Sequence, residues 1–239
     1  RSCPPDAAMG FPRYVPVADH ALLIEFGAEI DDAVTDRVHA LDRALAADPP
    51  PGLRETVPAF VSLLVDFDPL ETDHAAVARA VEAALARPAP AAQAPATHVV
   101  EVCYDGDLAP DLPEVAARTG LTPEAVIAAH LGGRYRVGMF GFAPGYAYLS
   151  GTPEAIRLPR KAAPVRGVPT GSVIIAGAQC IVTTLTMPAG WWRIGRSPTR
   201  ILLDDPARPF LFDAGDLIEM RRIDRATYDR RMAEGGADG

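Results

Sequence analysis

The residue this chain nearly lacks is lysine: of 23 basic residues, 22 are arginine and one, Lys161, is lysine. Beside so much alanine and proline, this reads as a compositional bias, and the arginine excess alone points to no ligand. Cysteine is almost as scarce. Cys3, Cys103 and Cys180 lie far apart; they match no metal-ligand spacing and are too few for a secreted disulfide scaffold. A cytoplasmic, reducing compartment is therefore expected. Long hydrophobic runs are missing too. Gly167 to Trp192 is the one stretch worth testing as a span, with 26 residues and no formal charge. It carries Pro169, Pro188, Gln179 and three threonines between 183 and 186, which make a poor and costly lipid-facing helix. Its valines and isoleucines suit buried strands instead, and no membrane partner is expected. The opening "RSCPPDAAMGF" has no apolar signal segment. With no methionine before Met9, residues 1–8 read as an appended or processed start.

Self-contained catalytic signatures are also absent. There is no Gly-x-Ser-x-Gly, His-Glu-x-x-His or Cys-x-x-Cys, which removes support for an autonomous hydrolase or metal site. "GTPEAIRLPRK" lacks the glycines that would point backbone amides at a phosphate. The five histidines, at 20, 39, 74, 98 and 130, are scattered, and no metal is expected. His130 alone precedes an aromatic-glycine segment. It has two readings: a catalytic base, or a cation placed favourably at a helix C-terminus.

What is present describes a soluble two-domain protein. The chain has 239 residues, 49% of them hydrophobic and 23% charged, enough to bury substantial cores. Its net charge of −8 is unevenly placed: residues 1–96 hold 15 acids against 7 basic residues, whereas residues 97–239 hold 16 of each. That asymmetry argues for two units. It also argues against nucleic acid or an anionic membrane as partner of the first.

The break between them is "ARPAPAAQAPAT", a Pro/Ala-rich linker over 88–97. Before it, a small α+β domain over 10–87 is expected. "ALLIEF" reads as a strand, and Val34, Val38, Leu41 and Leu45 mark one helix face. "TVPAFVSLLVDFD" reads as a second strand, and Val77, Val81 and Leu85 mark a second helix. After the linker, "THVVEVCY" reads as a strand. Asp111 with Glu114 resembles a capping box, and Thr122-Pro123 opens a helix over 123–131. From Arg134 on, "YRVGMFGF", "SVIIAG", "CIVTTLT", "WWRIG", "RILLDD" and "DLIEM" are short apolar runs between turn residues. They suggest a closed or nearly closed β-barrel to about residue 225, followed by a polar tail, 226–239.

Five motifs then occur in order: "GFAPGYAYLSGTP", "LPRKAAP", "VPTGSVIIAGAQ", "PAGWWRIGRSP" and "FLFDAGDLIEM". With "ALLIEFG" and "VPAFVSLLVDFDP" before the linker, the set resembles the KipI family. That family includes the small subunit of bacterial ATP-dependent 5-oxoprolinase, also called allophanate hydrolase subunit 1, and the matching half of the urea carboxylase carboxyltransferase domain. The resemblance covers nearly all of 14–223. It implies an α+β first domain, a cyclophilin-like barrel as the second, a larger sister subunit of the KipA/PxpC type, and an active site shared with it.

Three functions follow from the resemblance. One is ATP-dependent opening of 5-oxoproline, or of a related cyclic or ureido amide, with ATP bound at the level of the complex. The second is carboxyl or carbamoyl transfer, with biotin as the discriminating ligand. The third is inhibition of a sensor histidine kinase. The chain departs from the family pattern at Val165, Cys180, Ile181 and Ala189.

Candidate substrate- or partner-binding residues cluster in these motifs: Phe142, Pro144, Gly145, Tyr146, Tyr148, Arg160, Gln179, Trp191 and Arg196. Phe142 and Leu149 are expected to point inward. Tyr146 and Tyr148 are expected at the rim of a groove that Arg160, Gln179 and Arg196 also reach, with a tryptophan on the partner face. Arginines there suit a carboxylate or a phosphorylated intermediate.

Overall fold

The computed structural model describes residues 10–88 and 94–235. The chain divides into two compact units, 1–94 and 95–239. Residues 89–93 of the expected linker, and the termini 1–9 and 236–239, lie outside the described residues.

The first unit is a four-stranded antiparallel sheet with two helices against one face. Its elements run β1 (Arg13–Val17), β2 (Ala21–Glu25), α1 (Asp32–Ala47), β3 (Leu53–Pro58), β4 (Ser62–Phe67) and α2 (His74–Leu85), with strand order β1-β2-β4-β3. Alternation along the strands sends Leu22, Ile24, Leu63, Val65 and Phe67 inward against Val38, Leu41, Leu45, Val77 and Val81 of the helices. Each such side chain contributes about 1.5–3 kcal/mol by leaving water. Asp31 caps α1, its carboxylate accepting from the Ala33 and Val34 amides at 2.9 and 3.2 Å. Asp73 caps α2 through the Ala76 amide at 2.7 Å.

Three details differ from the sequence reading. The run 56–68 is a hairpin rather than one strand. Its turn carries Ala59, Phe60 and Val61 in place of the usual glycine or asparagine, and is pinned because the Thr35 hydroxyl donates to the Phe60 carbonyl at 2.9 Å. Leu85 is exposed, and Ala84 takes the inward place at the end of α2. β1 carries Pro16 and shows no clean alternation; a sheet edge tolerates such a strand.

The second unit begins with β5 (Thr97–Val102), α3 (Leu112–Thr119), α4 (Pro123–Leu131), β6 (Tyr135–Phe140) and β7 (Ala147–Ser150). It continues with β8 (Val165–Val168), β9 (Ser172–Ala176), β10 (Gln179–Val182), β11 (Met187–Ala189), β12 (Trp192–Arg196), β13 (Leu217–Arg222) and α5 (Arg225–Ala233). Seven strands form one sheet in the order β12-β9-β10-β7-β6-β13-β5. The sheet is nearly closed. The gap between its end strands is crossed by one antiparallel pair, Cys103 with Arg196, through amide–carbonyl bonds of 2.8 and 2.9 Å. Gly195 makes that seam possible, since a Cβ there would stand 2.7 Å from Val102 Cγ1 and 3.1 Å from the Cys103 carbonyl oxygen.

Val173, Ile175, Cys180, Val182, Leu149 and Ile194 fill the interior. The intervening residues Ile174, Ala176, Ile181 and Tyr148 face outward, where they pack with Val168 and Ala189 of the two-stranded ribbon β8-β11. β9 is therefore buried on both faces, and its sequence SVIIA is correspondingly unbroken in apolar character.

Three further expectations are corrected. The Asp111–Glu114 capping box does not form: Asp111 makes no side-chain cap, because its carboxylate is engaged elsewhere. Residues 226–235 are not simply a polar tail, since α5 covers most of them. Asp224 caps that helix, and Tyr228 is buried with Cys103 and Leu108. The run "RILLDD" forms only an isolated bridge, Leu202 to Phe210. Among the described residues no helix is long and apolar enough to cross a membrane.

Candidate functional site

The connection between β6 and β7 is built on a tight reversal. The Ala143 amide donates to the Gly141 carbonyl at 2.9 Å, closing a three-residue γ-turn with Phe142 at its centre and φ of 71°. This positive-φ form is rare and strained for a residue with a side chain. The turn leaves Phe142 74% exposed, which overturns its expected inward position. A residue at the apex of so short a reversal has no interior to face, and Tyr146 takes the buried place instead at 3% exposure. Leu149 does point inward. Two contacts hold the loop from below. Thr184 donates its hydroxyl to the Pro144 carbonyl at 2.7 Å. Gly145, at φ 66°, sits where a Cβ would meet Leu202 Cδ2 at 2.7 Å.

From Phe142 a row of rings runs across the outer face of the sheet. Phe142 meets Tyr146 at a centroid distance of 5.6 Å, Tyr146 meets Tyr148 at 6.2 Å, and Tyr148 meets Trp191 at 5.9 Å, all edge to face. The exposed Arg160 guanidinium ends the row, 5.5 Å above the Trp191 ring. Trp191 and Trp192 are both buried, so neither indole stands at an exposed turn tip as expected. Trp191 is the floor of the row. Trp192 is in the barrel core, its indole N–H donating to the Pro159 carbonyl at 2.8 Å. Burial, with Tyr148 nearby, pushes the Tyr146 phenol up to about 12. It stays protonated at physiological pH and can donate a hydrogen bond, but not act as a base. The row therefore offers an exposed apolar tip at one end and a cation on an aromatic platform at the other.

Beside Arg160 lies a pair that motif reading passed over. Lys161 donates to Asp111 Oδ2 at 2.6 Å, and the same oxygen accepts from the Arg193 amide at 2.7 Å. The ammonium also stands 5.1 Å over the Trp192 ring. This anchors the "LPRKAAP" segment and fixes where Arg160 emerges. That Lys161 is the chain's one lysine was the available signal.

His130 is placed in the core with 0% exposure. Its Nδ1 lies 2.7 Å from the Tyr104 hydroxyl and its Nε2 3.6 Å from Cys180 Sγ. Tyr135 donates to its carbonyl at 3.1 Å. Burial holds the imidazole down at about 3, so the ring is neutral and is not the helix-terminal cation the sequence suggested. Burial likewise raises the Cys180 thiol. A sealed, neutral His–Cys contact supplies no nucleophile to solvent. Cys180, one of the departures from the family pattern, thus faces the interior rather than the outer face.

The expected single groove is not formed. Gln179 lies opposite Ala176, whereas Arg196 lies opposite Ser172, four residues and about 13 Å away along β9. Arg196 stands at the seam and its Nε donates to the Thr170 carbonyl at 3.0 Å. The structure brings together Phe142, Tyr146, Tyr148, Trp191 and Arg160, and leaves Arg196 and His130 elsewhere. Among the described residues no group of three or more His, Cys, Asp or Glu could hold a metal ion.

A family model described as "Carboxyltransferase domain, subdomain C and D" matches residues 12–212. The chain belongs to that family. A relative named as a 5-oxoprolinase subunit, from Bacillus subtilis, is 39% identical over 223 residues, covering 89% of this chain and 93% of its own length. The solved structure of TTHA0988 has a TM-score of 0.74 and 34% identity over 85% of this chain. This carboxyltransferase-family chain spans only 39% of that protein. The Kluyveromyces lactis urea carboxylase has a TM-score of 0.75 over 95% of this chain and 23% of its own, at 16% identity, a likeness of fold alone.

Proposed function

We propose that the chain is the small subunit of an ATP-dependent amidohydrolase complex that opens 5-oxoproline, or a related cyclic or ureido amide. On this reading it is active only with a sister subunit of the KipA/PxpC type. The carrying observation is the 39% identity to the Bacillus subtilis 5-oxoprolinase component over 93% of that relative's length. The site is in keeping with it. An exposed ring on a strained turn is a costly feature for a free surface, and aromatic and arginine side chains are the groups that most often anchor an interface. Arg160 has the chemistry to pair with the substrate carboxylate or with a phosphorylated intermediate. ATP is bound at the level of the complex.

The test is to purify the chain alone and together with the sister subunit, and to measure glutamate from 5-oxoproline and ATP. Glutamate is expected only from the complex; steady production by the single chain would refute the reading. The family model favours a second reading, carboxyl transfer from a biotin carrier. Turnover that needs a biotinylated carrier and no 5-oxoproline would select it.

A further inference from the structure

We propose that the open face of the first unit's sheet is a docking surface for a cationic amphipathic helix of a partner protein. The helices α1 and α2 cover one face; the other carries a cross-strand ladder. Val15 pairs with Leu23, Leu23 with Leu64, and Leu64 with Val57. All four are aliphatic; Leu23 and Leu64 alternate with residues of the core, and Val15 follows Tyr14, which packs against it. Val15 and Val57 are 40% and 42% exposed, and Leu23 and Leu64 are partly exposed. Scattered surface aliphatics need no explanation, but four in register form one contiguous strip. Three strand spacings make it about 14 Å long. That matches three turns of a helix, about 16 Å, with apolar residues at i, i+4, i+7 and i+11.

The charge beside the ladder selects the occupant. On one side Arg13 cancels Glu25, paired at 2.7 Å. On the other, Glu55 lies directly opposite Asp66 across β3 and β4. Like charges in that position are destabilising. Glu55 makes no hydrogen bond or ion pair among the described residues; Asp66 has the His20 ring at 3.7 Å, and the nearby Arg54 guanidinium is taken by Asp68 at 2.8 Å. A cation laid along this side removes the conflict, whereas a second copy of the same face would bring further carboxylates against it.

The test uses the full chain and two synthetic peptides of about 16 residues with the same leucine stripe, one flanked by lysines and the other by glutamates. Fluorescence anisotropy at low ionic strength is expected to show saturable binding of the lysine peptide alone, weakening as salt is added. The Glu55→Lys/Val57→Lys double variant changes two exposed positions, and its fold is checked by its melting curve. It is expected to bind the lysine peptide at least about tenfold more weakly, about 1.4 kcal/mol. The proposal is overturned by no saturable binding, by equal binding of the two peptides, or by an unchanged affinity in the double variant. A concentration-dependent dimer of the chain that Val57→Lys abolishes would overturn it too, by assigning the face to a second copy.

Discussion

Replacing Phe142 by glycine separates what the β6–β7 turn does for stability from what it does for function. A residue with a side chain held at φ 71° gives up roughly 1–2 kcal/mol relative to glycine in the same conformation. Against that gain, glycine brings a more flexible unfolded chain, roughly 0.5–1 kcal/mol. The edge contact with Tyr146 is also lost. Such pairs are worth about 0.5–1.5 kcal/mol when enclosed, and less here because the ring is 74% exposed. The terms nearly cancel. Phe142→Gly is expected to leave the unfolding free energy within about 1 kcal/mol of the parent, a shift in melting temperature of no more than about 4 °C. The assay is thermal unfolding of the free chain, followed by co-purification with the sister subunit. Assembly is expected to fall although stability does not. A variant that melts well below that window would show the ring to be part of the core. One that assembles as well as the parent would show the turn to be no contact surface.

Other outcomes follow from the same structure. Gly195→Ala puts a methyl against Val102 and the Cys103 carbonyl at the barrel seam, and denaturant melts should show a loss of about 1–3 kcal/mol. Burial alone would raise the Asp216 carboxyl, but the Asp213 amide, the His98 ring at 2.8 Å and the Ala96 amide together hold it below the usual carboxylate range. Because its folded value is depressed, its contribution is present above the unfolded value of about 3.9. It is lost as pH falls through the folded value. Asp216→Asn should therefore cost about 2 kcal/mol at neutral pH, and the gap from the parent should close in unfolding curves taken below about pH 4. Cys103 and Cys180 are both buried, so in a Cys3→Ser background a thiol reagent should react only on unfolding; rapid labelling of the native chain would contradict the closed seam.

Elements with a strong local pattern were legible in the sequence. α1 follows from apolar spacing, α4 from Thr122-Pro123, and β9 from an unbroken apolar run. Elements fixed by distant partners were not. The β3–β4 turn carries no turn residue and is set by a bond from Thr35. Asp111 looks like a cap, yet Lys161, 50 residues on, takes its carboxylate. β8 and β11 are only four and three residues long, and β8 lies in a segment of mixed polarity. α5 is polar almost throughout, with Tyr228 as its one buried side chain. At the site, the ring types and their order were legible and their orientation was not. Alternation by two puts Tyr146 and Tyr148 on one face, but says nothing of a γ-turn at Phe142 that exchanges inside for outside. Arg160 and Arg196 look equivalent as arginines in neighbouring motifs, until the fold places one on Trp191 and strand register the other at the seam.

The most direct measurement of the central claim is ATP-dependent glutamate formation from 5-oxoproline by the chain and its sister subunit, with and without the Phe142→Ala/Arg160→Ala double change. Both side chains are exposed, so the free double variant should melt like the parent. Its mixture with the sister subunit should lose most of the turnover. Full turnover from that mixture, with the melt unchanged, would contradict the account.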